Sequence, residues 1–154
     1  MTLPCQPVRR PAALARQRGE SLGEGGGFAG LIGRPFRDGG RGPEAFDCWG
    51  LVRFVEAEHF GVEVPDWSIL PAERSLIRAR VLAERQSERW RRIAVPEPGA
   101  VAVLGRGLGE THLGVVVDGG VLHATRDSGV VLDSLSGIRR DWPRVSFYAH
   151  RPHP

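Results

Sequence analysis

The sequence predicts an α+β domain in which helices come first and an antiparallel sheet follows. Three observations carry that prediction. Apolar residues recur at helical spacing after Cys48, at Leu51, Val52, Val55 and Phe60. Beyond Pro98-Gly99 the hydrophobic period changes to two. Asp118-Gly119 then separates two alternating segments as a two-residue hairpin turn. Helical segments followed by a run of strands is the order of an α+β fold.

The elements follow in order. Residues 1–30 are rich in Pro, Arg and Gly and read as a partly flexible N-terminal extension, with a short helix over 14–22. Gly23-Glu24-Gly25-Gly26-Gly27 breaks that helix, and the folded domain is expected over 31–154. Neither this glycine run nor Gly105-Arg106-Gly107-Leu108-Gly109 ends in the Lys-Ser/Thr of a phosphate loop, so both read as connectors. Residues 33–43 are turn-rich. A helix is expected from about 47 to 60, with Asp47 as N-cap and Gly61 as the stop. A second, Arg/Glu-rich helix is expected over 71–92, with Pro71 in its first turn and a weak apolar stripe of Leu76, Ile77, Leu82 and Trp90. Strands are expected over 100–104, 112–117, 121–125, 129–132 and 145–150.

Composition bounds the function. A chain of 154 residues with 41% hydrophobic and 25% charged content suits one soluble domain. All the basic residues are arginine, and the net charge is +3. The arginines alternate with Glu and Asp, which is not the clustered footprint of nucleic-acid binding. Two cysteines are too few for a disulfide framework. No apolar run approaches the ~18 residues of a membrane helix, and the expectation is a chain made in the cytoplasm without a signal peptide.

The chemistry centres on Phe46-Asp47-Cys48-Trp49-Gly50. Cys48 falls in the first helical turn, where free backbone N–H groups and partial positive charge favour a thiolate. Taking Asp118-Gly119 as the hairpin turn sets Gly114 opposite His123. His112 and His123 then share a face as diagonal neighbours, with Cβ atoms roughly 7–8 Å apart or somewhat closer. Cys48 becomes a candidate nucleophile, His112 its base and His123 the group that fixes the tautomer of His112. The same three residues with an open position would also suit catalytic zinc, although no Cys-x-x-Cys or His-Glu-x-x-His spacing supports a metal. No cofactor is expected. His150 and His153 flank a Pro-rich tail and read as solvated; Trp49, Trp67, Trp90 and Trp142 read as core or groove wall.

These motifs resemble the NlpC family of cell-wall cysteine peptidases. Gly33-Arg34-Pro35-Phe36, Gly39-Gly40, Pro43 and Phe46 to Val52 are similar to its nucleophile region. His112-Leu113-Gly114-Val115-Val116 is similar to its histidine strand, and Leu122-His123-Ala124 with Gly129-Val130 to its third-residue strand. The resemblance implies a papain-like fold, with N-terminal helices on a central antiparallel sheet of five to six strands. It implies a Cys48-His112-His123 triad that hydrolyses peptidoglycan stem peptides, typically next to a D-glutamyl residue. It implies that Asp47 helps hold the substrate's free amine.

Two residues depart from the family pattern: Phe36 stands where tyrosine is frequent, and Trp49 where serine is frequent. Phe36, Asp47 and Trp49 are thus the expected substrate-facing residues. The Trp49 variant and the short chain look more like the phage-tail and gene-transfer-agent branch. That implies a particle-borne cell-wall hydrolase with other tail proteins as partners. A catalytically weak tail structural protein, and an amidase or acyltransferase on the same scaffold, are the alternatives.

Overall fold

The computed structural model describes residues 28–66, 81, 83–107 and 110–151. The sheet has six antiparallel strands: β1 Trp90–Ile93, β2 Val101–Arg106, β3 Glu110–Val117, β4 Gly120–Thr125, β5 Gly129–Ser134 and β6 Arg144–His150. Their order in space is β1-β6-β2-β3-β4-β5. Helix α1 spans Cys48–Val55 and continues as a π-helical turn over Glu56–Phe60. Gly61, at φ 68°, ends it in the left-handed region, as the sequence predicted. A short helix α2, Leu135–Asp141, links β5 to β6.

Strand alternation sorts the core onto the two faces of the sheet. On one face Leu113, Val115, Val117, Leu122 and Ala124 pack against Leu51, Val52 and Val55 of α1. On the other, Ala102, Leu104, Val116, Val121 and Phe147 pack against Ile138 of α2. Leu51, Val52 and Val55 are fully buried, each worth about 1.5–3 kcal/mol relative to exposure. That burial fixes the helix against β3 and β4 and so decides where its N-terminal end lies.

The turn-rich loop seats that end. Asp47 Oδ1 accepts from Gly50 N at 2.6 Å, the N-cap the sequence predicts. Arg41 Nη1 lies 2.8 Å from both oxygens of the same carboxylate. Gly39 N donates to Asp47 Oδ2 at 3.1 Å, and Asp47 N donates to Gly40 O at 3.1 Å. A Cβ on Gly50 would overlap the Gly40 carbonyl, so the loop backbone can lie on the first helical turn only because Gly50 has no side chain.

Two expectations need correction. Trp90 does not end a helix: residues 81 and 83–85 are helical, but Trp90–Ile93 is the edge strand β1, paired with His150 to Phe147. The Arg/Glu-rich composition masked a short strand whose only buried side chain is Trp90. His150 is not a solvated tail residue; it ends β6, with its ring 5.2 Å from Trp90 and edge-on to it. The expected helix over 14–22, and residues 71–80 and 82 of the second, lie outside the described residues.

Glu56 is 1% exposed, and its Oε1 has no hydrogen-bond partner. Burial pushes its carboxyl up to about 8. The folded state therefore binds a proton that the unfolded chain releases between pH 4.5 and 8, and stability falls as pH rises through that window. Glu56→Gln removes the ionisation. Unfolding measured at pH 5 and pH 8 should show the pH-dependent loss shrinking by on the order of 3 kcal/mol in the variant. An unchanged pH dependence would show that Glu56 is not the buried acid responsible.

Candidate active site

The β3–β4 hairpin has the register that Asp118-Gly119 predicts: Val117 pairs with Gly120, Val116 with Val121 and Val115 with Leu122. His112 and His123 consequently meet. His112 Nε2 lies 2.9 Å from His123 Nδ1, and their rings are edge to face with centroids 5.1 Å apart. Gly114 makes room for this pairing, since a Cβ there would fall 2.6 Å from Val121 Cγ1 and 3.2 Å from His123 Cβ. His123 is 3% exposed, and its Nε2 lies 2.7 Å from Asp133 Oδ2 on β5. The β4–β5 register sets Val131 opposite His123, so Asp133 is its diagonal neighbour on the same face.

Cys48 opens α1 and is half-buried. The backbone N–H of Leu113, the residue after His112, is among the groups that favour its thiolate. Cys48, His112 and His123 line one cleft of about 680 Å³, together with Phe36, Arg106, Arg126, Asp133 and Trp142. The Trp142 indole stacks on the His112 ring at 5.3 Å and 14°. Arg106 lies 4.3 Å from the centre of the same indole and donates to Asp141 O at 2.7 Å. At the rim, Arg126 packs over the Phe36 ring and pairs with Asp38.

The structure thus brings four of the predicted site residues together: Cys48, His112, His123 and Phe36. Two others do not line the cleft. Trp49 is 5% exposed in the core, its Nε1 donating to Pro65 O at 2.9 Å. It sits on the helix face that packs toward the sheet, as the reading of Trp49 as core expects, and the substrate-facing reading is corrected. Asp47 is occupied by the cap and by Arg41. Asp133 and Arg106 were not anticipated as site residues; Trp142, read as core or groove wall, forms the cleft wall beside His112. Asp133 could have been found by registering the second hairpin across Arg126-Asp127-Ser128. Trp142 and Arg106 depend on how α2 folds back across the sheet, which no local pattern encodes.

The electrostatics differ from the expected thiolate. Burial, and then the charge on Asp47, push the Cys48 thiol up to about 11. The backbone N–H groups of Leu113, Trp49 and Cys48 itself pull the other way, as a helix start should, but burial outweighs them. Burial, then His123 and Arg106, lower His112 to about 3. Both shifts favour the uncharged partner, so the resting site holds a neutral thiol and a neutral imidazole. The His112 shift also means that the unfolded chain takes up a proton the folded state refuses, so stability falls as pH drops from about 6.5 toward 3.

Comparison with known proteins came to the same region of the chain. The family model of the NlpC/P60 family matches residues 33–142. A probable endopeptidase p60 of Listeria grayi is 27% identical over 106 residues, covering 69% of this chain and 18% of that protein. Its counterpart in Listeria welshimeri is 28% identical over the same length, again covering 18% of that protein. The chain thus spans about a fifth of the length of these relatives. Among solved structures, the NlpC/p60 domain of the peptidoglycan hydrolase SagA aligns with a TM-score of 0.51 at 21% identity. That alignment covers 77% of this chain and 88% of the other, and it supports the papain-like α+β fold.

The neutral resting pair has a measurable consequence. A thiol near pKa 11 holds far less thiolate at pH 7 than a free cysteine near ~8.5, and its higher nucleophilicity recovers only part of the loss. Iodoacetamide should therefore alkylate Cys48 in the folded protein roughly 10- to 30-fold more slowly than a free thiol at pH 7. Alkylation faster than a free thiol at pH 6 would mean that a thiolate–imidazolium pair exists at rest.

Proposed function

The chain belongs to the NlpC/P60 family, and from that premise we propose that it is a cysteine endopeptidase that hydrolyses peptidoglycan stem peptides. The observation that carries this reading is the cleft shared by Cys48, His112 and His123, with the two imidazoles hydrogen-bonded at 2.9 Å.

The steps follow from the donor and acceptor count. His112 Nε2 is engaged with His123, which leaves Nδ1 for Cys48. As the substrate carbonyl approaches, His112 Nδ1 takes the Cys48 proton and the sulfur attacks the carbonyl carbon. The developing oxyanion is met by the backbone N–H of Cys48 at the start of α1. The tetrahedral intermediate collapses, and the His112 imidazolium returns its proton to the departing amine. A thioester remains on Cys48. Water, deprotonated by His112, then releases the acyl fragment and restores the thiol. His123 holds the His112 ring in the tautomer these steps require. Because the resting pair is neutral, proton transfer belongs to the attack step and does not precede binding.

The expected scissile bond is next to a D-glutamyl residue, and Phe36 on the cleft wall is the candidate substrate contact. The Phe46-Asp47-Cys48-Trp49-Gly50 form of the motif supports the further reading that this is the hydrolase of a phage or phage-like tail. On that reading the protein is made in the cytoplasm and carried to the cell wall in the particle.

Purified protein should release stem-peptide fragments from peptidoglycan, resolved by chromatography and mass spectrometry. Cys48→Ala should reduce release by at least 10³-fold, since removal of a nucleophile leaves only residual catalysis. His112→Ala should do nearly the same. Undiminished release by Cys48→Ala would end the proposal, and cleavage between sugar and peptide would make the enzyme an amidase.

A further inference from the structure

We infer that Asp133 is a positioning residue that extends the site to a Cys48–His112–His123–Asp133 relay and decides which nitrogen of each histidine carries the proton. The inference rests on the peptidase reading for its consequence, but on hydrogen-bond chemistry for its substance.

A carboxylate has no proton to give, so it can only accept. With Asp133 Oδ2 at 2.7 Å, the proton of neutral His123 must sit on Nε2. His123 Nδ1 then carries a lone pair. That lone pair faces His112 Nε2 at 2.9 Å, so the proton of His112 must sit on Nε2 as donor. His112 Nδ1 is left with the lone pair that a base for Cys48 needs. One carboxylate on β5 therefore sets the protonation of a nitrogen two residues away along the relay.

Without Asp133 the opposite arrangement becomes available. His123 could carry its proton on Nδ1 and donate it to His112 Nε2. The proton of His112 would then move to Nδ1, where it blocks acceptance from Cys48. Between these states the two histidines alone have only the weak intrinsic preference of an imidazole for its Nε2–H form. The carboxylate makes that preference strong, and it also places a negative charge behind the pair when His112 becomes imidazolium. A second histidine alone cannot provide that charge.

The surroundings fit the role. His123 is 3% exposed, so water does not compete for its nitrogens, whereas Asp133 is about half exposed and its carboxyl group stays solvated. The other charged groups lining the cleft are Arg106 on β2, Arg126 and Asp127 in the β4–β5 turn, and Asp141 at the end of α2. Arg106 opposes a charged His112, which makes the anion at Asp133 the counterweight.

The test uses the full chain labelled with ¹⁵N-histidine. In the wild type, ¹⁵N spectra at neutral pH should show both His112 and His123 as Nε2–H tautomers. In Asp133→Ala, His123 should move to the Nδ1–H form or to an average of the two. Release of stem peptide should fall at least 10-fold in kcat with KM within about twofold, since loss of the carboxylate that fixes the tautomer of a catalytic imidazole costs up to about 10⁴-fold. Asp133→Asn, which keeps shape but not charge, serves should the alanine variant be unstable, and a loss in kcat of at least threefold supports the assignment. Wild-type tautomers in Asp133→Ala, or wild-type kcat in either variant, would overturn it. If the unmodified chain cleaves no stem peptide, the peptidase reading fails separately and the tautomer spectra alone decide the role of Asp133.

Discussion

The register of one β-hairpin governs the whole site. Asp118-Gly119 closes β3 onto β4 with Val117 opposite Gly120. Because side chains alternate along a strand, that pairing sends His112 and His123 to the same face, and a one-residue slip would send one of them to the other. Gly119, at φ 83°, takes the left-handed backbone that the second position of this turn requires, and Gly114 leaves the space the paired rings occupy. Both glycines therefore serve the hydrogen bond between the imidazoles.

The nucleophile is placed by a second, independent device. The apolar face of α1 fixes the helix on the sheet. Asp47 then ties the helix start to the loop through Gly50, Gly39 and Arg41. The carboxylate that caps the helix also opposes ionisation of the neighbouring thiol, so the same contact that positions Cys48 restrains it. Helix-start N–H groups favour a thiolate, but the partial burial of the sulfur and the charge on Asp47 oppose it more strongly. The site is thus organised for proton transfer during attack, with the imidazole kept neutral by burial and ready to accept.

Much of this was legible in the sequence because it is local. The Asp47 cap, the Gly61 stop and the Asp118-Gly119 turn are short patterns with one physical meaning each, and the hairpin turn carries the pairing of His112 with His123. What was missed is non-local or depends on burial. Trp90–Ile93 reads as the tail of a charged helix because one buried tryptophan gives no alternation to detect. Trp49 belongs to the same motif as the nucleophile, yet α1 turns it into the core. Asp133 needed the register of a second hairpin with a weaker turn signal. Trp142 reaches His112 only through the path of α2 across the sheet. The thiol's raised pKa was also hidden, since spacing reports the helix start and not the groups that desolvate the sulfur.

The most direct test of the account is to trap the acyl-enzyme. The protein is mixed with a synthetic stem peptide, quenched in acid within the first turnover, digested and analysed by mass spectrometry. The account predicts the acyl fragment as a thioester on the peptide containing Cys48, and its absence in His112→Ala. Turnover of the stem peptide without an adduct on Cys48, or an undiminished adduct in His112→Ala, would contradict it.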